Sequence, residues 1–156
     1  MSKKMKAIFT SSCGGHYAEL NQLEDLMKDF ETLIITERVK SSVNKEGVKY
    51  LLHSTKFENK LVYISKYLFN AFLSFIYFVS FRPKVIITTG VHSTIPLLLL
   101  GKIFRCKTIY IETIANVTTP TMTGRLVYKF VDLFIVQWEE LLEFYPNAIV
   151  GGSIFK

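Results

Sequence analysis

Three short stretches carry residues able to do chemistry. The first is SSCGGH, residues 11–16, where two glycines precede a histidine. Glycines let backbone N–H groups converge on an anion at the start of a helix, where the dipole favours negative charge. The same dipole disfavours an imidazolium. His16 is therefore suited to take a proton from a hydroxyl or to hydrogen-bond a phosphate oxygen; capping its helix is the plain structural alternative. Ser12, Gly14 and Gly15 belong to the same loop. The spacing is not GxGxxG, and no acidic residue stands at a clear strand end about 20 residues on, Glu37 being the nearest, so no dinucleotide is expected.

The second stretch, TTGVHSTIP at 88–96, offers Gly90 for a sharp turn, His92 as either a ligand contact or a solvent-facing loop histidine, and Ser93 or Thr94 to cap a helix whose first turn accommodates Pro96. In the third, 109–132, Glu112 closes an apolar run and is expected at the carboxyl edge of a sheet, as a base or a sugar-hydroxyl ligand. Asn116, Thr123 and Arg125 follow in a polar loop that could grip hydroxyls and a phosphate, or merely cap a helix. Cys13 and Cys106 show neither metal-ligand spacing nor a disulfide framework; they read as free thiols in a reducing cytoplasm, and no metal site is expected.

These stretches need a scaffold. Apolar, β-branched runs at 7–10, 32–36, 50–53, 85–88, 108–111, 133–136 and 148–150 predict strands buried on both faces, the habit of a parallel sheet. Helical patterns lie between them. One carries the stripe Leu20, Leu23, Met27 and Phe30, and others are expected at 58–81, 93–104, 123–131 and 139–144. The alternation predicts a single α/β domain over 1–156 with a doubly wound, Rossmann-like parallel sheet. The second loop would then lie beside the first, at the switch point where ligands bind.

The segment 61–81 is the most hydrophobic. From Tyr67 to Phe81 it lacks charge, about fifteen residues or roughly 22 Å of helix, short of the roughly 20 residues that spanning needs. Its aromatics, Phe69, Phe72, Phe75 and Phe78 among them, cover more than one face, and Lys56, Lys60, Lys66, Arg82 and Lys84 flank or punctuate it. A helix lying in a membrane interface is favoured, with a subunit interface or plain core as alternatives. The 156 residues carry a formal charge of +6, which suits an anionic partner. No basic run interleaved with stacking aromatics supports nucleic acid, and the N-terminus is not a secretory signal.

SSCGGHYAEL, TTGVHSTIPLLLLGKIFRCKTIYIET and TPTMTGRLVYKFVDLFIVQWEELLEFYP together resemble the acceptor-side subunit of split UDP-N-acetylglucosamine transferases, over nearly the whole chain. That subunit serves the dolichol-linked pathway in eukaryotes, and bacterial relatives act in capsule and exopolysaccharide synthesis. More distantly the chain resembles the N-terminal half of MurG. The resemblance implies a GT-B glycosyltransferase cut into two polypeptides, with no cofactor on this one. A separate donor-binding subunit would hold the UDP-sugar, and this chain the polyprenyl-diphosphate-linked sugar acceptor. It also implies a peripheral or monotopic position on the cytoplasmic face of the membrane. Gly14, Gly15 and His16 match the loop near the acceptor diphosphate and the reacting hydroxyl; Gly90 to Ser93 match the second glycine-containing loop; Glu112 matches the signature glutamate. The base would be His16 or Glu112. No N-terminal anchor like the eukaryotic subunit's is expected here, so anchoring is expected to rest on 61–81 and on the partner complex. The rival expectation is a non-catalytic tether for a complete catalytic partner.

Overall fold

The computed structural model describes residues 4–40, 47–55 and 57–155; Lys56 lies outside them. In chain order the elements are β1 (Lys6–Thr10), α1 (Gly15–Asn21), α2 (Glu24–Met27), β2 (Glu31–Arg38), β3 (Val48–Leu52), α3 (Lys60–Phe81), β4 (Val85–Thr88), α4 (Ile95–Ile103), β5 (Lys107–Ile111), α5 (Met122–Val127), β6 (Leu133–Val136) and β7 (Ile149–Val150). Two 3-10 turns, His92–Thr94 and Glu139–Glu143, stand before α4 and after β6.

The strands form one seven-stranded, all-parallel sheet in the order β3-β2-β1-β4-β5-β6-β7. Alternation along the strands serves two layers. Ala7, Phe9, Ile87 and Ile111 point to the face covered by Tyr17, Leu20 and Met27. Ile8, Ile35, Leu51 and Ile86 point to the other, covered by Phe78, Leu97, Leu98 and Val127. The chain leaves β1 toward β2 and leaves β4 toward β5, so the loops after β1 and β4 diverge at adjacent strand ends, with Thr10 beside Thr88. This is the expected Rossmann-like sheet with its switch point.

Several helices differ from their expected extents. The stripe Leu20–Phe30 is split between α1 and α2. The helix expected over 123–131 ends at Val127, because the chain must swing back so that the Asp132 carboxylate accepts from the Thr108 N–H and hydroxyl at 2.8 and 2.9 Å. The segments expected as helix at 93–104 and 139–144 begin, or consist, of 3-10 turns.

Helix α3 has 22 residues, about 33 Å, and opens where the Asn59 side chain accepts from the Leu61 N–H. It is stitched to the sheet edge: the Asn70 amide accepts from the Leu52 N–H at 2.7 Å and donates to the Leu52 carbonyl at 2.8 Å. Phe78 is 4% exposed and packs on Phe104, ring centroids 5.2 Å apart. This corrects its assignment to a membrane-facing set: Phe78 falls on the inward stripe with Asn70 and Ser74. Phe69, Phe72 and Phe75 are exposed, as are Leu61, Leu68, Ile76 and Val79.

Candidate functional site

The loop after β1 is anchored from below. The Ser11 N–H donates to the Ile35 carbonyl and the Ser12 N–H to the Gly90 carbonyl, which ties the first glycine loop to the second. Ser12 is buried and acts through this backbone bond. Gly14, at φ 72, takes the left-handed turn that delivers Gly15 and His16 to the first turn of α1. His16 then reaches across 73 positions of sequence: its Nδ1 lies 2.8 Å from the Thr89 carbonyl oxygen, while the Thr89 hydroxyl donates to the His16 carbonyl at 2.7 Å. A carbonyl oxygen only accepts, so Nδ1 carries the proton and Nε2 presents a lone pair.

Behind the imidazole stands a residue that sequence reasoning missed. Glu19, 2% exposed, places Oε2 3.8 Å from His16 Nδ1. That oxygen has no hydrogen-bond partner among the described residues. Its Oε1 accepts from the Thr113 hydroxyl at 2.7 Å and the Ile114 N–H at 2.9 Å, pinning the loop after β5 against α1. The signal was present in HYAE, an i, i+3 pair on one helix face. What the sequence could not show is that this face turns inward.

Gly90 keeps the two loops close. At φ 101 it is in the region that favours glycine, and a Cβ there would meet the Tyr110 hydroxyl at 3.3 Å and His16 Nδ1 at 3.4 Å. His92 follows, its ring 5.6 Å from that of Tyr63 on α3. Ser93 is buried beneath.

Glu112 corrects an expectation. It is 0% exposed, and its oxygens accept from the Thr113 N–H at 3.1 Å, the Thr121 hydroxyl at 2.9 Å and the Tyr145 hydroxyl at 3.1 Å. A carboxylate sealed beneath the surface and satisfied by these donors does not reach a substrate proton. It anchors the polar loop instead: Thr121, bonded to Glu112, also caps α5 by accepting from the Gly124 N–H at 2.9 Å. Burial, and next the Glu112 charge, push the Tyr110 and Tyr145 hydroxyls well above the ordinary tyrosine range, so both stay protonated donors.

The loop so held forms one wall of a groove of about 710 Å³. Asn116, Pro120, Thr121, Met122 and Thr123 line it on that side, Val91 and His92 at its floor, and Thr55, Glu58, Lys60 and Tyr63 on the α3 side. The structure thus brings His92, Asn116 and Thr123 together and sets the His16–Gly90 contact beside them. Arg125 is not brought in; it is exposed and lies over the Phe144 ring, 5.9 Å from its centroid. Lys60 and Tyr63 line the groove although nothing in their spacing marked them as site residues. Cys13, Glu37 and His53 converge on the β1–β2–β3 side, three side chains of metal-ligating type that no spacing motif announced.

Residues 57–154 match the family model described as oligosaccharide biosynthesis protein Alg14 like. The mouse UDP-N-acetylglucosamine transferase subunit ALG14 is 27% identical over 150 residues, 89% of this chain and 69% of its own length. The human subunit is 35% identical over 79 residues, 47% of this chain and 37% of its own length. Among solved structures, Acinetobacter baumannii MurG superposes with a TM-score of 0.66 at 11% identity, over 86% of this chain and 42% of that one. A Rickettsia bellii UDP-N-acetylglucosamine 2-epimerase reaches 0.73 at 8% identity, over 97% and 45%. This chain therefore spans less than half of those solved chains, and at such identities they speak for the fold alone. The mouse and human relatives are transferase subunits, and they lend no support to the expected capsule or exopolysaccharide setting. With a family match covering more than half of its residues, the chain belongs to the Alg14-like family of oligosaccharide-biosynthesis proteins.

Proposed function

We propose that this chain is the acceptor-binding and membrane-recruiting subunit of a two-component inverting glycosyltransferase. It presents a polyprenyl-diphosphate-linked saccharide, on the cytoplasmic face of the membrane, to a UDP-sugar held by a separate donor-binding subunit. The observation that carries this reading is the state of His16: Nδ1–H is fixed on the Thr89 carbonyl, and the buried Glu19 carboxylate stands behind it. The acceptor hydroxyl attacks the sugar C1 as the bond from C1 to UDP breaks on the opposite face. The hydroxyl proton passes to His16 Nε2, and the imidazolium so formed is stabilised by Glu19 and the Thr89 carbonyl. UDP leaves with its negative charge toward the donor subunit. Gly14 and Gly15 lie where the acceptor diphosphate docks, Asn116, Thr123 and His92 contact its sugars, and the exposed face of α3 receives the lipid surface. Glu112 is a positioning residue that holds the third loop in place.

The test is reconstitution with the donor subunit and a short-chain lipid-diphosphate acceptor. His16→Ala is expected to lower kcat by roughly 10²–10⁴-fold with the complex intact. Glu19→Gln is expected to lower kcat about tenfold with KM little changed. Wild-type turnover in His16→Ala overturns the base assignment and leaves the chain a tether for a complete catalytic partner.

A further inference from the structure

At the carboxyl ends of three neighbouring strands, three different side chains of metal-ligating type meet. Cys13 comes from the loop after β1, Glu37 from the carboxyl end of strand β2, and His53 directly follows β3. The strands are adjacent and in parallel register, with Thr10 beside Ile35 and Glu37 beside Leu51, so the three positions are set by the sheet and not by a flexible loop alone. Cys13 Sγ lies 3.6 Å from Glu37 Oε2 and 3.5 Å from His53 Nδ1. His53 Nδ1 and Glu37 Oε2 are 2.6 Å apart.

We propose that Cys13, Glu37 and His53 form a binding site for a divalent transition ion of the zinc class. Tetrahedral zinc bonded to one sulfur, one nitrogen and one oxygen sets the sulfur about 3.6 Å from each of the other two, and nitrogen and oxygen about 3.3 Å apart. Two edges of that triangle already have the required length. The third opens by about 0.7 Å as the metal replaces the proton between His53 and Glu37. A thiolate, a carboxylate and a neutral imidazole sum to a charge that cancels a dication, which matters because Glu37 is only 2% exposed. The thiol and imidazole select a borderline ion over magnesium or calcium, which take oxygen donors. Three protein ligands leave a fourth position for water. The bound ion ties the loop that carries Gly14–His16 to the two outer strands β2 and β3. The inference stands apart from the sugar-transfer reading, because its readout is metal uptake.

Cobalt(II) is the probe. The reduced full chain, stripped with chelator and titrated with Co²⁺, is expected to develop a thiolate-to-cobalt charge-transfer band in the near ultraviolet at one equivalent, displaced by Zn²⁺. Cys13→Ser removes the band, and His53→Gln weakens binding at least tenfold. Cys106→Ser leaves both unchanged, since that thiol is buried and donates to the Pro83 carbonyl. Circular dichroism confirms that each variant is folded. No band in the folded wild-type chain, or a band that survives Cys13→Ser, overturns the proposal.

Discussion

In the proposed reaction, Glu112 and His16 divide between them two tasks that either could have held. Glu112 directly follows β5 and His16 opens α1 after the loop from β1, yet one is sealed and the other is only partly buried. The difference lies in their neighbours. Glu112 is surrounded by hydroxyl and amide donors from Thr113, Thr121 and Tyr145, while His16 meets a carbonyl and a carboxylate that leave Nε2 unused. Gly124 shows how tight the first arrangement is: a Cβ there would sit 2.1 Å from Glu112 Oε2 and 2.5 Å from the Tyr145 hydroxyl. Gly124→Ala is expected to cost about 2–3 kcal/mol in urea unfolding, through displaced packing and broken bonds to a buried carboxylate. Glu112→Gln, nearly isosteric, is expected to lower stability by about 1–3 kcal/mol while transfer persists in the folded fraction. Complete loss of turnover in a folded Glu112→Gln chain would return the glutamate to the chemistry.

At the scale of elements, α3 does two jobs on two faces. Its inner stripe completes the edge strand: Asn70 bonds both backbone groups of Leu52, and the Tyr77 hydroxyl donates to the Tyr50 carbonyl. Its outer face leaves Phe69, Phe72 and Phe75 exposed, with Lys66 beside Glu58 near its start. The helix is long and apolar enough to cross a membrane by composition, with mean hydropathy 1.4. Its hydrogen bonds to β3 and packing on α4 nevertheless make it one wall of the domain, which suits lying in an interface better than crossing one. The double variant Phe72→Asp/Phe75→Asp is expected to lose flotation with anionic vesicles by at least tenfold and to keep its circular dichroism spectrum. Phe78→Asp is expected to unfold the chain instead, because that ring is packed on Phe104. Equal vesicle binding by the double variant would assign the exposed face to a protein partner.

The whole molecule is one sheet whose functional loops gather at a single edge, with a net charge of +6 over all its residues. Under the two-component reading proposed above, the chain alone is expected to show no transfer from a UDP-sugar to a lipid-diphosphate acceptor. Adding the donor-binding subunit should restore it, as measured by radiolabel incorporation into the lipid fraction. Robust transfer by the purified chain would remove the two-component reading.

The sequence by itself determined the sheet and its edge. Continuous β-branched runs such as VIITT and LFIVQ can be buried on both faces only in a covered parallel sheet. Glycines before a histidine at a strand end mark a turn into a helix whatever the tertiary context. Those are local rules, and they located β4 and β6 to the residue and placed Gly14, His16, Gly90 and Glu112 at one edge. Tertiary structure decided what each side chain does there. Whether Phe78 faces lipid or Phe104, whether Glu112 reaches solvent or Tyr145, and whether Glu19 backs a histidine depend on contacts between residues far apart in the chain. The meeting of Cys13, Glu37 and His53 has the same origin: strand order brings three separate strand ends together, and no spacing along the chain encodes a distance across a sheet.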